Sequence, residues 1–350
     1  MNKKRNLNLD LVKAIAAFMI CFYHLAGLNM GKIINGEYFI NINRIVTNLC
    51  VVSVPVFFMV NGALTLRREL TIKKYFSRII KQTFIYIVAS ILVGIFYIFI
   101  NETNYSVENI LIGSGYLWFL RTLIIIYIIL PILKILDKNK TLTIIFIVIL
   151  VIFPFGYNYI STITKSLYLN SMNYDFILNT KDLPRTGVFT MYSLLYYFIG
   201  AKLYNNRQLL IKNKISYIII FFIGLVLVTI DGEILSVYYG KVFDSVNGAF
   251  PTIGALLMSI GVFLLINDFN LENFKFKNII VLIGKNSLGI YILHMPLINL
   301  FRILFPNFKY SIIYNFIIAL FILSISIILY EAWGNVKNHI IVIKKEYLKI

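Results

Sequence analysis

Charged side chains are scarce in this chain of 350 residues, at 14% of the composition, whereas hydrophobic residues reach 59%. A soluble globular domain carries about 25% charged and about 45–50% apolar residues. This imbalance excludes a water-soluble enzyme, a disordered protein and a coiled coil. Cysteine is also rare, because the chain has only Cys21 and Cys50, both in apolar stretches. With no Cys-x-x-Cys pair, we expect neither a disulfide framework nor a metal site.

The hydrophobic residues are grouped in runs long enough to cross a bilayer, which requires about 20 mostly apolar residues. We therefore predict an all-α integral membrane protein with about ten transmembrane helices. They should form a single transmembrane domain over residues 1–350, with no appended soluble domain. The predicted spans are 9–28, 45–65, 79–100, 117–136, 142–160, 188–204, 215–231, 250–267, 279–298 and 311–331.

Acidic residues are few as well, 15 against 33 Lys and Arg, which gives a formal charge of +18. In a soluble protein such an excess would indicate nucleic acid. No basic stretch interleaves with aromatic residues outside the apolar runs, and we expect no nucleic-acid partner. With a cytoplasmic N-terminus, the inner segments would hold 23 basic residues and the outer segments nine. This bias predicts that both termini are cytoplasmic.

The first predicted span carries two ionisable groups that are costly in lipid, Lys13 and His24. Their spacing of eleven positions puts both side chains on one helical face, roughly 16 Å apart along the axis. Asp10 lies one turn below Lys13 and can pair with it. A snorkelling lysine and an interfacial histidine would explain each residue alone. Their shared face favours a path with a cationic lower end and a titratable group above it.

The second predicted span places Asn61 and Gly62 in an otherwise apolar helix. This pair is typical of a close contact between membrane helices. A basic segment follows, with Arg67, Arg68 and Arg78 among its residues. Two interpretations remain for this segment. It either fixes the topology or binds a polyanionic cytosolic ligand, such as a nucleotide-bearing donor.

Further polar residues occur in the fourth and ninth predicted spans. Trp118 is typical of the aromatic belt at a membrane interface, whereas Arg121, one turn further along, fits that belt less well. Ser287, Tyr291 and His294 are spaced four and three residues apart, on one helical face. A second histidine in the outer half of a span is notable in a chain with only three histidines.

Five stretches carry a pattern that extends over nearly the whole chain: LDLVKAIAAFMICFYH, PVFFMVNGALTL, YLWFLRTLIIIYIILPIL, YSLLYYFIGAKLY and GKNSLGIYILHMPL. In this order they resemble the acyltransferase-3 family of membrane O-acyltransferases, in its stand-alone form. The family's most characteristic feature is an Arg, ten intervening residues and a His in the first helix. Here the spacing is kept, but Lys13 stands at the arginine position. Asn61 likewise stands where the family usually has a small hydroxyl residue.

The resemblance implies transfer of an acyl group, expected to be acetyl, from cytoplasmic acyl-CoA to a hydroxyl of an extracytoplasmic or lipid-linked glycan. His24 is the expected general base, with a short-lived acyl-histidine as the competing version. Lys13, Arg67, Arg68 and Arg78 are the expected donor-binding residues. Lys13 would hold phosphate less rigidly than an arginine, unless a nearby arginine helps.

Acyl-CoA is thus expected as a co-substrate, without a bound cofactor. The expected partners are membrane lipid and the glycan acceptor, at the plasma membrane of a bacterium. A flippase or transporter for a lipid-linked sugar is the alternative function, with a glycan polymerase as a third. The candidate oxyanion or acceptor contacts are Asn61, Trp118, Arg121, Arg185, Ser287, Tyr291 and His294.

Overall fold

A computed structural model gives the fold of residues 5–25, 31–34, 37–40, 42–100, 115–156, 159–160, 163, 191–206, 213–239, 242–248, 250–308 and 311–347. These residues are helical apart from one β-hairpin and short connections. The chain divides into two compact units. Unit 1 comprises Met1–Leu28 and Asn270–Ile350, and unit 2 comprises Asn29–Phe269. The single domain over residues 1–350 stays a prediction.

The helices follow the chain in the order α1 (Leu7–Leu25), α2 (Ile42–Asn48), α3 (Ser53–Thr65), α4 (Ile72–Phe99), α5 (Trp118–Ile128), α6 (Leu130–Lys138), α7 (Lys140–Leu150), α8 (Met191–Asn205), α9 (Lys214–Tyr239), α10 (Ser245–Gly248), α11 (Ile253–Asn267), α12 (Lys277–Leu304) and α13 (Ile312–Tyr347). Strands β1 (Gly31–Ile34) and β2 (Glu37–Ile40) pair antiparallel. Short 3-10 helices cover Leu49–Val52 and Gly115–Leu117, and a π-helix covers Val151–Gly156. Helices α1, α12 and α13 belong to unit 1, and the other elements belong to unit 2.

Six helical segments within the described residues are long and apolar enough to cross a membrane. They are Leu7–Leu25, Ile42–Thr65, Ile72–Phe99, Lys214–Tyr238, Lys277–Leu304 and Ile312–Gly334. The pair Gly115–Ile128 and Leu130–Lys138 passes the same test when it is counted as one span. These findings confirm a helical, multi-pass membrane protein, with six or seven candidate spans among the described residues.

Every one of the ten predicted segments overlaps a helix, but three of these helices are short. They are Lys140–Gly156, Ile253–Asn267 and Met191–Asn205. A helix of 15 residues rises only about 22 Å, less than the hydrocarbon thickness of about 30 Å. Hydropathy alone did not reveal this difference in helix length. The count of ten spans therefore stays a prediction.

The fourth predicted span is bent, by 60° between α5 and α6. The bend lies at Ile129, and Pro131 occupies the first turn of α6. Proline lacks the N–H that would continue the hydrogen-bond ladder, and its ring clashes with the preceding turn. Pro131, which follows Leu130 in the sequence, therefore divides this span into two helices.

Helix α4 carries a stripe of large, exposed apolar side chains. The stripe repeats every three or four residues, as expected for one face of a helix. Such a surface is unusual on a soluble protein, but it suits contact with lipid acyl chains. Its members are Phe76, Ile80, Phe84, Ile87, Ile91, Ile95 and Ile98.

Helices α3 and α8 approach each other closely in unit 2, at two glycines. A Cβ atom on Gly62 would lie 1.8 Å from the carbonyl oxygen of Tyr197. A Cβ atom on Gly200 would lie 2.3 Å from Cα of Met59. Real carbon atoms do not approach so closely, so both positions require glycine. The sequence-based interpretation of Gly62 as a helix-contact residue is thus confirmed.

Replacing Gly62 with alanine should destabilise the protein, because the new methyl group would push α8 away from α3. We expect a loss of about 1–3 kcal/mol in the free energy of unfolding. The measurement is the Tm of the purified protein in detergent. Gly334→Ala is the matched control, because a Cβ atom there would meet nothing within 4 Å. Equal Tm values for Gly62→Ala and the wild type would contradict this packing.

Candidate active site

Gly284 sets how closely α12 approaches α1 in unit 1. A Cβ atom on Gly284 would lie 2.7 Å from Cβ of Asp10 and 2.9 Å from its Cα. Glycine is therefore needed for the two helices to touch at this level. Above it the helices bury apolar side chains, including Val12, Ala16, Ile20 and Ile290. This packing decides where the polar side chains of both helices lie.

The same two helices bring two histidines together. His24 lies in the last turn of α1, and its ring centroid is 5.2 Å from that of His294 on α12. The two ring planes meet at 43°. The ring of Tyr291 is 5.7 Å from the ring of His294. The structure thus brings His24 next to Tyr291 and His294, which the sequence had placed together on another span.

His294 is held within its own helix. Its Nδ1 lies 2.6 Å from the carbonyl oxygen of Tyr291, and the side chain is almost fully buried. Ser287, two turns earlier on α12, donates its hydroxyl to the carbonyl oxygen of Gly284 at 3.2 Å. An acceptor contact of Ser287 stays a prediction.

Arg302 is a residue that the sequence reasoning missed. It lies in the last turn of α12, and its Nη2 donates a hydrogen bond to the carbonyl oxygen of His24 at 2.7 Å. The last carbonyls of a helix have no partner within that helix, and a cation is favourable there. Arg302 therefore caps α1 at the residue proposed as the base. The sequence feature that could have identified Arg302 was a basic residue just beyond the end of the ninth predicted span.

The N-terminal end of α1 carries a cluster of three charges. The buried carboxylate of Asp10 contacts Nζ of Lys13 at 2.7 Å, which confirms their predicted pairing. Nε and Nη2 of Arg5 also donate to this carboxylate. Two cations thus share one anion, so the cluster keeps a net positive charge. Arg5 was absent from the sequence-based candidates, although help from a nearby arginine was one of the two alternatives for Lys13.

Asn61 makes contacts within unit 2. Its Nδ2 donates to the carbonyl oxygen of Phe57 on the same helix, at 2.9 Å. Its Oδ1 accepts from the hydroxyl of Tyr127 on α5, at 3.2 Å. The amide therefore links α3 to α5, which is the helix-contact role that the sequence suggested. Its role as an oxyanion donor stays a prediction.

The three arginines of unit 2 that were predicted to bind the donor differ in their surroundings. Arg67 faces the carboxylate of Asp137, with Nε 3.6 Å from Oδ2, and Lys202 contacts the same carboxylate at 2.6 Å. Arg68 is exposed, and Lys134 donates to its carbonyl oxygen. The charge of Arg67 is thus partly compensated by Asp137, whereas the contact of Lys134 engages the main chain of Arg68 and not its charge.

Arg78 is more enclosed than Arg67 and Arg68. Its Nη1 is buried and has no hydrogen-bond partner among the described residues. The guanidinium interacts electrostatically with Tyr127, Tyr197 and Lys134, from three other helices. A partly buried cation with an open donor position is suited to bind an anion. Of the three arginines, Arg78 is the strongest candidate for this role.

Trp118 begins α5 and lies in an aromatic cluster. Its ring centroid is 6.1 Å from that of Phe250, 6.2 Å from that of Phe58 and 6.4 Å from that of Tyr192. Arg121 follows one turn later and is half-buried. The roles of both residues in acceptor binding stay predictions. Arg185, the remaining acceptor candidate, lies outside the described residues.

Removing the carboxylate of Asp10 should destabilise the protein, because two cations would face each other without an anion. We expect Asp10→Ala to lose about 3–5 kcal/mol of stability, as when one partner of a buried ion pair is removed. Thermal unfolding in detergent measures this loss. The double variant Asp10→Ala/Lys13→Met should recover part of it. If the Tm of the double variant were no higher than that of Asp10→Ala, the charge cluster would not explain the loss of stability.

A comparison with protein-family models finds an acyltransferase domain that matches residues 6–331. No curated protein and no solved structure matches the chain significantly. The match covers nearly the whole chain, including α1 and α12. The chain therefore belongs to the acyltransferase-3 family.

Proposed function

We propose that this protein transfers an acetyl group from cytoplasmic acyl-CoA to a hydroxyl of an extracytoplasmic or lipid-linked glycan. Membership of the acyltransferase-3 family supports acyl transfer in general. The observation that carries the proposal further is the pair of histidines in unit 1. It joins the His24 of the family pattern to a second histidine from the end of the domain.

In the proposed reaction, His24 acts as the general base. Histidine exchanges protons near neutral pH, which suits it to this task. His24 takes the proton from the acceptor hydroxyl while the hydroxyl oxygen attacks the thioester carbonyl. A C–O bond forms and the C–S bond breaks. The imidazolium then returns the proton to the leaving thiolate of coenzyme A.

The donor phosphates are proposed to contact cations at the cytoplasmic end of the protein. In unit 1 these are Lys13 and Arg5, which carry the net positive charge of the Asp10 cluster. In unit 2 the enclosed guanidinium of Arg78 is the preferred candidate. Arg67 and Arg68 are retained as weaker candidates, since Arg67 already faces the carboxylate of Asp137 and Arg68 is exposed.

The proposed setting is a bacterial plasma membrane, with both termini in the cytoplasm and ten spans. The excess of Lys and Arg in the inner segments supports this orientation. The acceptor would then bind on the outer side. Trp118, Arg121 and Arg185 are its proposed contacts, and Tyr291 is a proposed oxyanion donor.

Loss of His24 should abolish acyl transfer. Membranes that contain the wild type or His24→Ala are supplied with acetyl-CoA labelled on the acetyl group and with the surface glycan of the host. Label in the glycan is then counted. We expect label with the wild type and a loss of at least 100-fold with His24→Ala, as for removal of a general base.

His339→Ala is the matched control, because it removes another of the three histidines. It should retain wild-type transfer. Full activity of His24→Ala would refute the proposed role of His24. If the wild type transferred neither acetyl nor succinyl groups, a flippase or transporter of lipid-linked sugars would become the better interpretation.

Arg78→Gln should weaken donor binding, because it removes a charge-assisted hydrogen bond to phosphate. We expect KM for acetyl-CoA to rise by about 10- to 100-fold with a smaller change in kcat. Lys73→Gln, a change at an exposed basic residue of the same segment, is the control. Measuring KM for acetyl-dephospho-CoA as well shows which phosphate is bound. An unchanged KM in Arg78→Gln would exclude Arg78 from the donor site.

A further inference from the structure

Helix α4 has a second face, turned away from its exposed apolar stripe, that carries polar side chains. Arg78, Gln82 and Ser90 lie on this face, at intervals of four and eight residues. Four residues advance a helix by about 6 Å and 40°, and eight residues by about 12 Å and 80°. The three side chains therefore form a row about 18 Å long, which begins at the enclosed guanidinium of Arg78.

Each of these three side chains has a buried donor without a partner. Gln82 and Ser90 are only 8% and 3% exposed. Nε2 of Gln82, Oγ of Ser90 and Nη1 of Arg78 are buried, and they have no hydrogen-bond partner among the described residues. Buried polar groups in folded proteins are normally paired. A row of three open donors on one helix face therefore points to a ligand.

Other buried serines of this protein use a partner within their own helix. Ser236, Ser259 and Ser326 each donate to the carbonyl oxygen four residues earlier, at 2.7 Å. This local bond is the common way to satisfy a hydroxyl inside a helix. Ser90 has the same option, because it lies well inside α4, but its hydroxyl makes no such bond. Its donor is thus left available to another molecule.

The proposed donor substrate has the chemistry that such a row can bind. From its diphosphate, acyl-CoA continues through a hydroxyl and two amide groups to the thioester. An amide at membrane depth finds no water, so its carbonyl oxygen needs a hydrogen-bond donor from the protein. Along α4 a guanidinium is followed by an amide N–H and then by a hydroxyl donor. This order matches a diphosphate followed by two amides.

We propose that Gln82 and Ser90 bind the pantetheine arm of acyl-CoA, with Arg78 at its phosphate end. Nε2 of Gln82 donates to the carbonyl of the amide nearer the diphosphate, and Oγ of Ser90 donates to the carbonyl of the second amide. The arm then lies along α4 within unit 2, from the proposed cytoplasmic end of the helix towards its middle. This inference rests on the proposed function, because it takes acyl-CoA as the donor substrate.

The first test measures the stability of the ligand-free protein. Gln82→Leu nearly keeps the size of the side chain and removes its open polar atoms. Replacing an unpaired buried polar group with an apolar one is neutral or stabilising, whereas breaking a structural hydrogen bond is destabilising. We therefore expect Gln82→Leu in detergent to have a Tm equal to that of the wild type or higher. A lower Tm would assign Gln82 a structural partner and contradict the proposal.

The second test measures binding by calorimetry and needs no acyl transfer. It compares CoA with ADP, which keeps the diphosphate and lacks the arm. Gln82→Leu and Ser90→Ala should each raise the Kd for CoA by about 3- to 10-fold, as for the loss of one hydrogen bond, and leave the Kd for ADP unchanged. An unchanged Kd for CoA, or an equal rise for both ligands, would overturn the assignment to the arm.

Ser326→Ala is the matched control for the binding test. It makes the same change at a buried serine whose hydroxyl already has a partner within its own helix. We expect this variant to bind CoA and ADP as the wild type does. If it weakened CoA binding as much as Ser90→Ala does, the effect of Ser90→Ala would not indicate contact with the arm.

The binding data separate this inference from the proposed function. If the wild type transfers acetyl groups while Gln82→Leu and Ser90→Ala bind CoA with wild-type affinity, the function holds and the inference is wrong. If CoA binding depends on both residues but the wild type acylates no glycan, the inference holds and the proposed acceptor is wrong. If the wild type does not bind CoA, both are wrong.

Discussion

A lipid bilayer offers no hydrogen-bond partners, so a polar group on a spanning helix must find its partner within the protein. On α1 this constraint applies to Asp10, Lys13 and His24. Asp10 is compensated by two cations, and the ring of His24 lies against the ring of His294. The second of these contacts needs α12 next to α1, and Gly284 permits this approach. The proposed chemistry in unit 1 therefore depends on how these two helices pack.

The same constraint divides the polar residues into two groups. Contacts within the protein account for the first group, and the second group keeps donors or acceptors that a ligand could use. Asn61 links α3 to α5 through both ends of its amide, so a structural role accounts for it. Arg67 faces the carboxylate of Asp137. Arg78 differs from both, because one of its buried nitrogens has no hydrogen-bond partner among the described residues. Burying part of a guanidinium without such a partner is costly, and a bound anion would offset that cost.

Much of the architecture was readable from the sequence, since hydropathy locates apolar segments and helical spacing places side chains on a common face. The pairing of Asp10 with Lys13 and the close contact at Gly62 were both predictable, because each depends on local spacing or residue size. The contact of Arg302 with His24 was not, because it joins residues 278 positions apart. Helical periodicity does not reveal which helices are neighbours. Hydropathy also did not show that three apolar segments form shorter helices than the other spans within the described residues.

The lysine at position 13 is the main departure from the family pattern, and the structure places an arginine, Arg5, on the same carboxylate as this lysine. An arginine binds phosphate through a planar fork, whereas a lysine provides a compact point charge. Asp10 holds Arg5 and Lys13 on one carboxylate, so a guanidinium lies beside the ammonium group. Arg5 is partly exposed, which leaves donors available that the carboxylate does not use. In the proposed donor site, the two residues together would supply the fork and the charge that a single arginine would combine. Asp10 holds both cations at this end of α1, and the proposed donor site gives its buried carboxylate a role.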